Sequence, residues 1–323
     1  MYSIKYIVPY FGKLPEYFQL WLDTCKLNND INWLVITDDR SDYRYPNNVE
    51  VVYCSFAEIK NRFQRLYDFE ISLKSAYKLV DYKVAYGEIF QEELTGFDYW
   101  GFCDIDLMWG NIRKFITDEI LERFPKIGCQ GHSTIFKNDP SINKVYRLKI
   151  ENEINYEHAF STEKVCCTDI GFIRKRFEHL QLPIYDKTVY AGLDAYKPAF
   201  YLQAMPATEA YKNSRQVFLW DNGVLYRYYI DDGIVYREEY YYIHFFKRPM
   251  KNKIKTMDKP ILIVPNRYFN FSGQVSLDIV SKYGHKSKAA FYLRMAYQNR
   301  KKISFRKVKD YLYFQIQHNK RYK

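Results

Sequence analysis

Residues 99–110 read YWGFCDIDLMWG. An aromatic and apolar run too short for a helix leads into Asp-Ile-Asp and ends at Gly110, which predicts a buried strand that ends in two carboxylates. Side chains at positions i and i+2 of an extended segment point the same way, so Asp104 and Asp106 converge while Ile105 turns into the core. Carboxylates beside so apolar a run are costly to bury unless they are paired, hydrogen-bonded or bound to a metal. The pattern therefore predicts a divalent-cation site; the alternative is a solvated turn, which Asp also favours.

The segments before this stretch predict an α/β fold. Strands that alternate with helices indicate a parallel sheet, whose ligands bind at the carboxyl ends of the strands. Asp38 and Asp39 follow one such end, and the Asp104 pair follows another. No glycine-rich dinucleotide motif or P-loop accompanies the first strand. The predicted elements are strands at residues 4–8, 33–37 and 49–54, a helix at 16–27, and mostly helical stretches at 57–66 and 73–94.

The second half of the chain predicts β structure. Two turn sequences, DNG at 221–223 and DDG at 231–233, divide aromatic runs from residue 216 onward, which is typical of a β-meander. Its last predicted strand, residues 240–246, carries His244. Between the two halves, the predicted elements are a helix at 117–124 capped by Thr117, short strands at 127–130 and 133–136, and a helix that begins at 140.

The charge is unevenly distributed. Of the 49 Lys and Arg residues, 12 lie in residues 285–323 beside a single acid, Asp310, which leaves 37 basic and 37 acidic residues before them. We therefore predict a neutral domain at 1–284 and a basic amphipathic helical tail at 285–323. The tail either packs its apolar stripe on the domain or meets an anionic membrane surface. A neutral domain argues against nucleic acid as its substrate.

Cysteine usage and hydropathy predict a cytoplasmic location. The six cysteines form no Cys-x-x-Cys pair and have no His at zinc spacing, so we expect reduced core residues. The N-terminal segment fails as a signal peptide, and no apolar run approaches the length of a membrane span. The abundance of 33 Tyr and 23 Phe suits broad clefts that bind sugars or bases.

Five motifs occur in order along the chain: TDD at 37–39, YKLVDYK at 77–83, FDYWGFCDID at 97–106, GHSTIFKN at 131–138 and YIHFFKR at 242–248. Together they resemble the bacterial GT-A glycosyltransferases of capsule and surface-polysaccharide clusters. The likeness covers about residues 1 to 250. It implies a GT-A-like, mainly parallel sheet flanked by helices, a DXD motif, a nucleotide-sugar donor, Mn²⁺ or Mg²⁺, and transfer of the sugar to a hydroxyl of a glycan or lipid-linked acceptor.

The resemblance implies three metal ligands, Asp104, Asp106 and His244. A lone His in a strand is more often a core residue, so His244 depends on the likeness; one imidazole with two carboxylates suits Mn²⁺ at least as well as Mg²⁺. Lys247 and Arg248 follow His244 and are expected to meet the donor diphosphate. The alternative for both is a solvated β-turn.

Further donor contacts are expected from Tyr10, with Asp38 or Asp39, at the nucleoside. Either Asp equally suits the cap of a turn. Asp81 and Lys83 resemble donor-site positions, and the alternative is an exposed pair on a helix.

Asp169 is the expected base that deprotonates the acceptor, because apolar neighbours raise its pKa by desolvation. The relatives carry an Asp-Glu pair where this chain has Thr168-Asp169 or Asp169-Ile170. An inverting enzyme needs such a base, whereas a retaining one does not, and the sequence leaves the two open.

Three other functions compete. A phosphohydrolase of the haloacid-dehalogenase type also uses strand-Asp-x-Asp with Mg²⁺, but it expects Thr or Val where this chain has Met108, and its motif follows the first strand. A sugar nucleotidyltransferase needs a glycine-rich basic loop that residues 9–13 do not supply. The third is a non-catalytic protein that uses the basic tail on a membrane or nucleic acid.

Overall fold

A computed structural model describes residues 1–203, 214–284, 292, 293 and 296. The strands are β1 (Ile4–Tyr10), β2 (Ile31–Thr37), β3 (Val49–Tyr53), β4 (Tyr99–Cys103), β5 (Leu107–Trp109), β6 (Lys126–Gln130), β7 (Ser133–Lys137), β8 (Ile184–Tyr185), β9 (Ala191–Gly192), β10 (Gln216–Asp221), β11 (Val224–Asp231), β12 (Ile234–Tyr240), β13 (Tyr242–His244), β14 (Lys251–Lys253), β15 (Ile261–Val264) and β16 (Arg267–Asn270).

Most of the helices are short. The α-helices are α1 (Phe18–Cys25), α2 (Phe56–Gln64), α3 (Tyr86–Ile89), α4 (Ile112–Phe115), α5 (Asp118–Arg123), α6 (Pro140–Asn143), α7 (Tyr156–Ser161), α8 (Ile173–His179) and α9 (Leu277–Tyr283), with 3₁₀ helices at Ala76–Ala85 and Val145–Arg147 and a π-helical turn at Thr168–Phe172. Ser55 and Glu58 form a capping box at α2, and the predicted cap Thr117 accepts a hydrogen bond at the start of α5.

The first sheet has seven strands in the order β3-β2-β1-β4-β7-β6-β8. β1, β2, β3 and β4 run parallel, and β7 is antiparallel to both β4 and β6. Every residue of β4 is buried, which is typical of a strand covered on both faces. The structure confirms the predicted α/β fold with a mainly parallel sheet flanked by helices.

The two faces of this sheet bury separate parts of the core. Successive side chains of a strand point to opposite faces, so Tyr6 of β1 packs with Trp33 and Trp109 on one side. Ile7 packs with Phe102 on the other side. Burial of each such side chain contributes about 1.5–3 kcal/mol. The core therefore fixes β1 and β4 side by side, with their carboxyl ends at one edge.

The predicted helical stretch at 73–94 has a different form. Residues Ala76–Ala85 make a 3₁₀ helix, and only Tyr86–Ile89 is α-helical. Side chains three residues apart eclipse in a 3₁₀ helix, and Lys78 and Asp81 use this spacing to form a buried ion pair of 2.7 Å. The helix predicted to begin at residue 140 is also short, because α6 ends at Asn143.

The second sheet has six strands in the order β12-β11-β10-β15-β16-β14. Asn222-Gly223 and Asp232-Gly233 have positive φ, as the tight turns between β10, β11 and β12 require, which confirms the meander. The prediction that residues 240–246 form the last strand of this sheet is wrong. β12 ends at Tyr240, and β13 joins a three-stranded sheet between β5 and β9.

The predicted tail helix at 285–323 lies outside the described residues, except for 292, 293 and 296. Across the part of the chain that the structure describes, no helix has the length and apolar character needed to cross a membrane.

Candidate metal centre

Two carboxylates and an imidazole meet at the carboxyl end of β4. Asp104 and Asp106 lie in the turn between β4 and β5, and His244 ends β13, which pairs antiparallel to β5. Their potential ligand atoms all lie within 4.8 Å of one another. His244 Nε2 is 3.2 Å from Asp106 Oδ1 and 3.9 Å from Asp104 Oδ2. We call Asp104, Asp106 and His244 the metal cluster.

The chemistry of the donor set suits one divalent cation. Two ligands that each lie about 2.1 Å from one ion are at most about 4.2 Å apart. The two separations that involve His244 satisfy this limit, and all three ligand atoms lie within 4.8 Å of one another. Carboxylate oxygens with one imidazole nitrogen suit Mn²⁺ and Mg²⁺. The Asp104 side chain is 37% exposed, whereas those of Asp106 and His244 are buried, so the cluster opens to solvent on the Asp104 side.

The chain that follows His244 fixes Asp106. The backbone N–H of Lys247 donates to Asp106 Oδ2 at 2.6 Å. Both Phe246 and Lys247 have positive φ, which costs non-glycine residues about 1–2 kcal/mol each. Burial opposes the charged form of Asp106, but its hydrogen bonds with His244 and Lys247 outweigh burial and lower the pKa of Asp106. The carboxylate is therefore held ionised in a buried position.

Lys83 joins the metal cluster to a second buried acid. Its ammonium lies 2.8 Å from Asp104 Oδ1 and 3.5 Å from Asp169 Oδ2, and it donates to the Gly131 carbonyl at 2.6 Å. Burial alone would lower the pKa of Lys83, but the charges of Asp104 and Asp169 outweigh it and raise that pKa. Lys83 is therefore a permanent cation between the two carboxylates.

Asp169 lies in the π-helical turn after Cys167, which has a left-handed backbone with φ of 53°. Its Oδ1 is buried and has no hydrogen-bond partner among the described residues. Burial raises the pKa of Asp169 more than Lys83 lowers it. A Cβ atom at position 131 would lie 2.3 Å from Asp169 Oδ2, so glycine is needed there for the carboxylate to approach.

His132 belongs to this centre, and the site prediction from the sequence omitted it. Its Nδ1 lies 2.8 Å from the Tyr242 hydroxyl, and its ring centroid is 4.3 Å from that of His244. Burial is the main cause that lowers the pKa of His132 well below its ordinary value, and the charges of His244 and Lys83 lower it further. The signal available in the sequence was its position beside Gly131, in the turn between two strands of the same sheet.

Asp38 and Asp39 tie two loops together. Asp38 Oδ1 accepts a hydrogen bond from the backbone N–H of Gly12, and Asp39 Oδ2 accepts one from the backbone N–H of Leu14, both at 2.7 Å. Asp39 Oδ1 also accepts from the backbone N–H of Ser41. Their contacts match the capping alternative. Tyr10, which ends β1, is half-buried; burial raises its pKa, and the nearby charges of Asp106 and Asp39 raise it further.

Asp81 and Arg248 are placed differently from the expectation. Asp81 is fully buried, pairs with Lys78 and accepts from the Cys166 N–H, so it is neither a free donor contact nor an exposed helical residue. Arg248 is also buried and donates to Asn266 Oδ1. Its other hydrogen bonds go to the backbone carbonyls of Asp194, Lys197 and Pro198. Both side chains are committed to structural contacts, and their assignment to the donor site stays a prediction from the sequence.

Lys247 contacts the centre through its backbone. Its side chain is exposed and lies over the ring of Tyr77, with Nζ 4.8 Å from the ring centroid. The side chain is therefore at the open surface, whereas its neighbour Arg248 turns into the core.

The fold and the centre define an α/β protein with a candidate divalent-cation site at the carboxyl edge of its parallel sheet. A family model described as "Family of unknown function (DUF6625)" matches residues 6–272, and the chain belongs to this family. Among curated proteins, none matches the chain.

Solved structures give low similarity. Mouse xyloside xylosyltransferase 1 in its apo form is 12% identical, with a TM-score of 0.36 over 60% of this chain and 88% of that one. An active-site mutant of LgtC is 11% identical, with a TM-score of 0.34 over 60% of this chain and 76% of that one.

Proposed function

We propose that the protein is a metal-dependent glycosyltransferase, which moves a sugar from a nucleotide-diphosphate sugar to a hydroxyl of a glycan or lipid-linked acceptor. The observation that carries the proposal is the metal cluster, in which Asp104, Asp106 and His244 bring ligand atoms within 4.8 Å of one another. The cluster opens to solvent at Asp104, beside the buried Asp169, whose Oδ1 has no hydrogen-bond partner within the described part of the chain. This combination suits cleavage of a sugar–diphosphate bond next to a base.

This reaction first requires that the negative charge of the leaving group be stabilised. As the glycosidic bond breaks, the diphosphate gains negative charge, and a divalent cation held by the metal cluster would neutralise it. We further propose that the exposed Lys247 side chain contacts the diphosphate. Its backbone N–H already binds Asp106, which keeps the residue within reach of that group.

The acceptor must lose a proton in the same reaction. The acceptor hydroxyl oxygen forms a bond to the anomeric carbon, and the bond from that carbon to the diphosphate oxygen breaks with its electron pair going to the diphosphate. We assign the proton to Asp169, as an inverting transfer requires. Two observations support this role: its Oδ1 has no hydrogen-bond partner in residues 1–203 and 214–284, and burial raises its pKa. Lys83 holds the other oxygen.

The nucleoside contacts follow from the edge of the sheet. We propose that Tyr10 packs against the base, and that Asp38 and Asp39 act by shaping residues 12–14 around it. The cytoplasmic location, the surface-polysaccharide setting and docking of the tail on a membrane stay predictions from the sequence.

The haloacid-dehalogenase alternative fits less well. Its motif follows the first strand, whereas Asp104 and Asp106 follow β4, the fourth strand in the chain. Asp104, which would have to be its nucleophile, is paired with Lys83 at 2.8 Å.

A donor screen tests the proposal. Purified protein is incubated with a panel of nucleotide sugars, with Mn²⁺ or with EDTA, and thermal stability and release of nucleoside diphosphate are measured. We expect one donor to raise the melting temperature and to be turned over only with the metal. The Asp104→Asn/Asp106→Asn double variant should be inactive.

The matched control is Asp232→Asn, an exposed turn residue whose positive φ also suits Asn. It should behave as wild type. Full turnover by the double variant, or turnover in EDTA, would overturn the proposal.

A further inference from the structure

A partly open cavity of about 220 Å³ lies behind the β6–β7 turn. The turn contributes Cys129, Gln130 and Ser133, and the opposite wall comes from residues 185–190 together with Tyr241 and Tyr242. Pockets for drug-sized ligands measure roughly 300–1,000 Å³, so this cavity is of a size for one smaller ring.

The lining suits a sugar ring. Tyr190 and Tyr242 stack with their centroids 5.4 Å apart and an interplanar angle of 11°, which makes an aromatic wall. Tyrosine rings offer apolar faces to the C–H groups of a sugar and polar edges to its hydroxyls. Gln130 and Ser133 add amide and hydroxyl groups. The cavity thus combines flat apolar surface with neutral hydrogen-bonding groups.

The charged residues of the cavity lining are Arg174, Asp186 and Lys187, and Lys187 is exposed to solvent. Arg174 and Asp186 pair with each other at 3.1 Å. Both side chains are about half exposed, so the pair lies at the solvent side. The Arg174–Asp186 pair gives no preference for an anion, and solvent screens the charge of the exposed Lys187. The neutral amide and hydroxyl groups of the lining therefore favour a neutral ligand.

Two contacts connect the cavity to the metal cluster. Tyr242, in its wall, contacts His132 through the 2.8 Å hydrogen bond to Nδ1. His132 in turn lies against His244, with centroids 4.3 Å apart. Tyr242 and His244 are two residues apart in β13 and share one face of the strand. One side chain, His132, therefore separates the cavity wall from a ligand of the cluster.

The cavity also adjoins the proposed base. Gly131 lies between Gln130, which lines the cavity, and His132, and a Cβ atom on Gly131 would collide with Asp169 Oδ2. The β6–β7 turn thus has the cavity on one side and Asp169 on the other.

We propose that this cavity binds one neutral sugar ring of the acceptor, adjacent to the metal cluster. The inference rests on the proposed glycosyltransferase function and assigns the acceptor side of that site. The acceptor then ends in a glycan residue, because the cations that a lipid phosphate would find in the lining are Arg174, which is already paired, and Lys187, which is exposed to solvent.

Binding of free sugars tests the inference without a donor or a metal. Saturation-transfer NMR is recorded in EDTA with glucose, galactose, N-acetylglucosamine and their methyl glycosides, each at millimolar concentration. We expect a signal from at least one sugar with wild-type protein. Cys129→Phe and Thr188→Trp fill the cavity from opposite walls and should each reduce that signal at least tenfold, and two variants guard against misfolding of one.

The matched control is Lys137→Phe, which adds the same ring at an exposed position of β7 that does not line the cavity. It should bind as wild type. Absence of a signal from every sugar, or wild-type signals from the folded filled variants, would overturn the inference. Failure of the proposed function looks different: the sugar binds, the filled variants lose it, and no nucleotide sugar is turned over.

Discussion

Two groups of buried charge in this protein differ in how completely the chain satisfies them. In the structural group, Lys78 pairs with Asp81 and donates to the carbonyls of Ala159 and Lys164. Arg248 likewise donates to four protein oxygens. These two side chains therefore direct their hydrogen-bond donors at groups within the fold.

The metal cluster and its neighbours are satisfied less completely. Asp104 is partly open to solvent, and Asp169 Oδ1 has no partner among the described residues. His244 Nε2 lies 3.2 and 3.9 Å from the two carboxylates, and the Lys83 ammonium lies 2.8 Å from Asp104. Buried charge with unused capacity is costly unless a ligand completes it. The contrast indicates which group carries the function and which holds the fold.

The largest effect is expected at Asp106. Asp106→Asn keeps the shape of the side chain and removes its charge, so we expect sugar transfer to fall by about 10³-fold, because metal binding supplies several kcal/mol to this kind of reaction. The measurement is nucleoside diphosphate release at saturating donor, with Asp232→Asn as the control. A variant with more than a tenth of wild-type activity would place Asp106 in the structural group.

The second-largest effect on activity is expected at Asp169. As a base it must be ionised, so activity should fall as the pH drops through its pKa, which burial raises above the ordinary value of about 3.8. The acid limb of the plot of kcat/KM against pH reports this pKa. Asp169→Asn should lower kcat about 10²-fold and remove that limb. An unchanged acid limb in Asp169→Asn would assign the base elsewhere.

Arg248 should respond in the opposite way. Arg248→Met leaves four oxygens without their donor, and we expect the free energy of unfolding to fall by about 4 kcal/mol. Transfer by the folded fraction should stay within about twofold. Urea unfolding and kcat per folded molecule give the two values. A loss of activity without a loss of stability would return Arg248 to the donor site.

Lys126 is an intermediate case with a smaller effect. It is fully buried, its one hydrogen bond among the described residues goes to the Gly128 carbonyl, and burial lowers its pKa to about 8. The unfolded chain therefore binds more protons than the folded one between pH 8 and the ordinary lysine value of about 10.4.

Stability should consequently rise with pH in this window. Relative to Lys126→Met, the wild type should gain about 2 kcal/mol in free energy of unfolding between about pH 8 and about pH 10. Urea unfolding of both proteins at several pH values isolates the contribution. Parallel curves for the two proteins would show that Lys126 carries no such shift.

Much of the fold followed from local patterns. Short apolar strands that alternate with helices predicted the parallel sheet, and the turn sequences at 221–223 and 231–233 predicted the hairpins. The strand exchange at Tyr241 had no such signal, because aromatic residues continue through 240–246 while the partner strand changes from β11 to β5. Partner choice depends on tertiary packing.

The candidate site shows the same limit. Adjacency in sequence brought Asp104 and Asp106 together, but it gave no sign that Arg248 is buried, because the left-handed residues Phe246 and Lys247 reverse the chain and direct Arg248 into the core. The contact of Lys83 with both Asp104 and Asp169 joins residues far apart in the chain. No periodicity or spacing encodes such a contact.

The central claim is that the metal cluster binds a divalent cation. The most direct test is a crystal soaked in Mn²⁺ and measured for anomalous scattering. We predict one strong peak between Asp104, Asp106 and His244, which is lost in Asp106→Asn. A map with no peak there, or with the peak unchanged in the variant, would contradict the account.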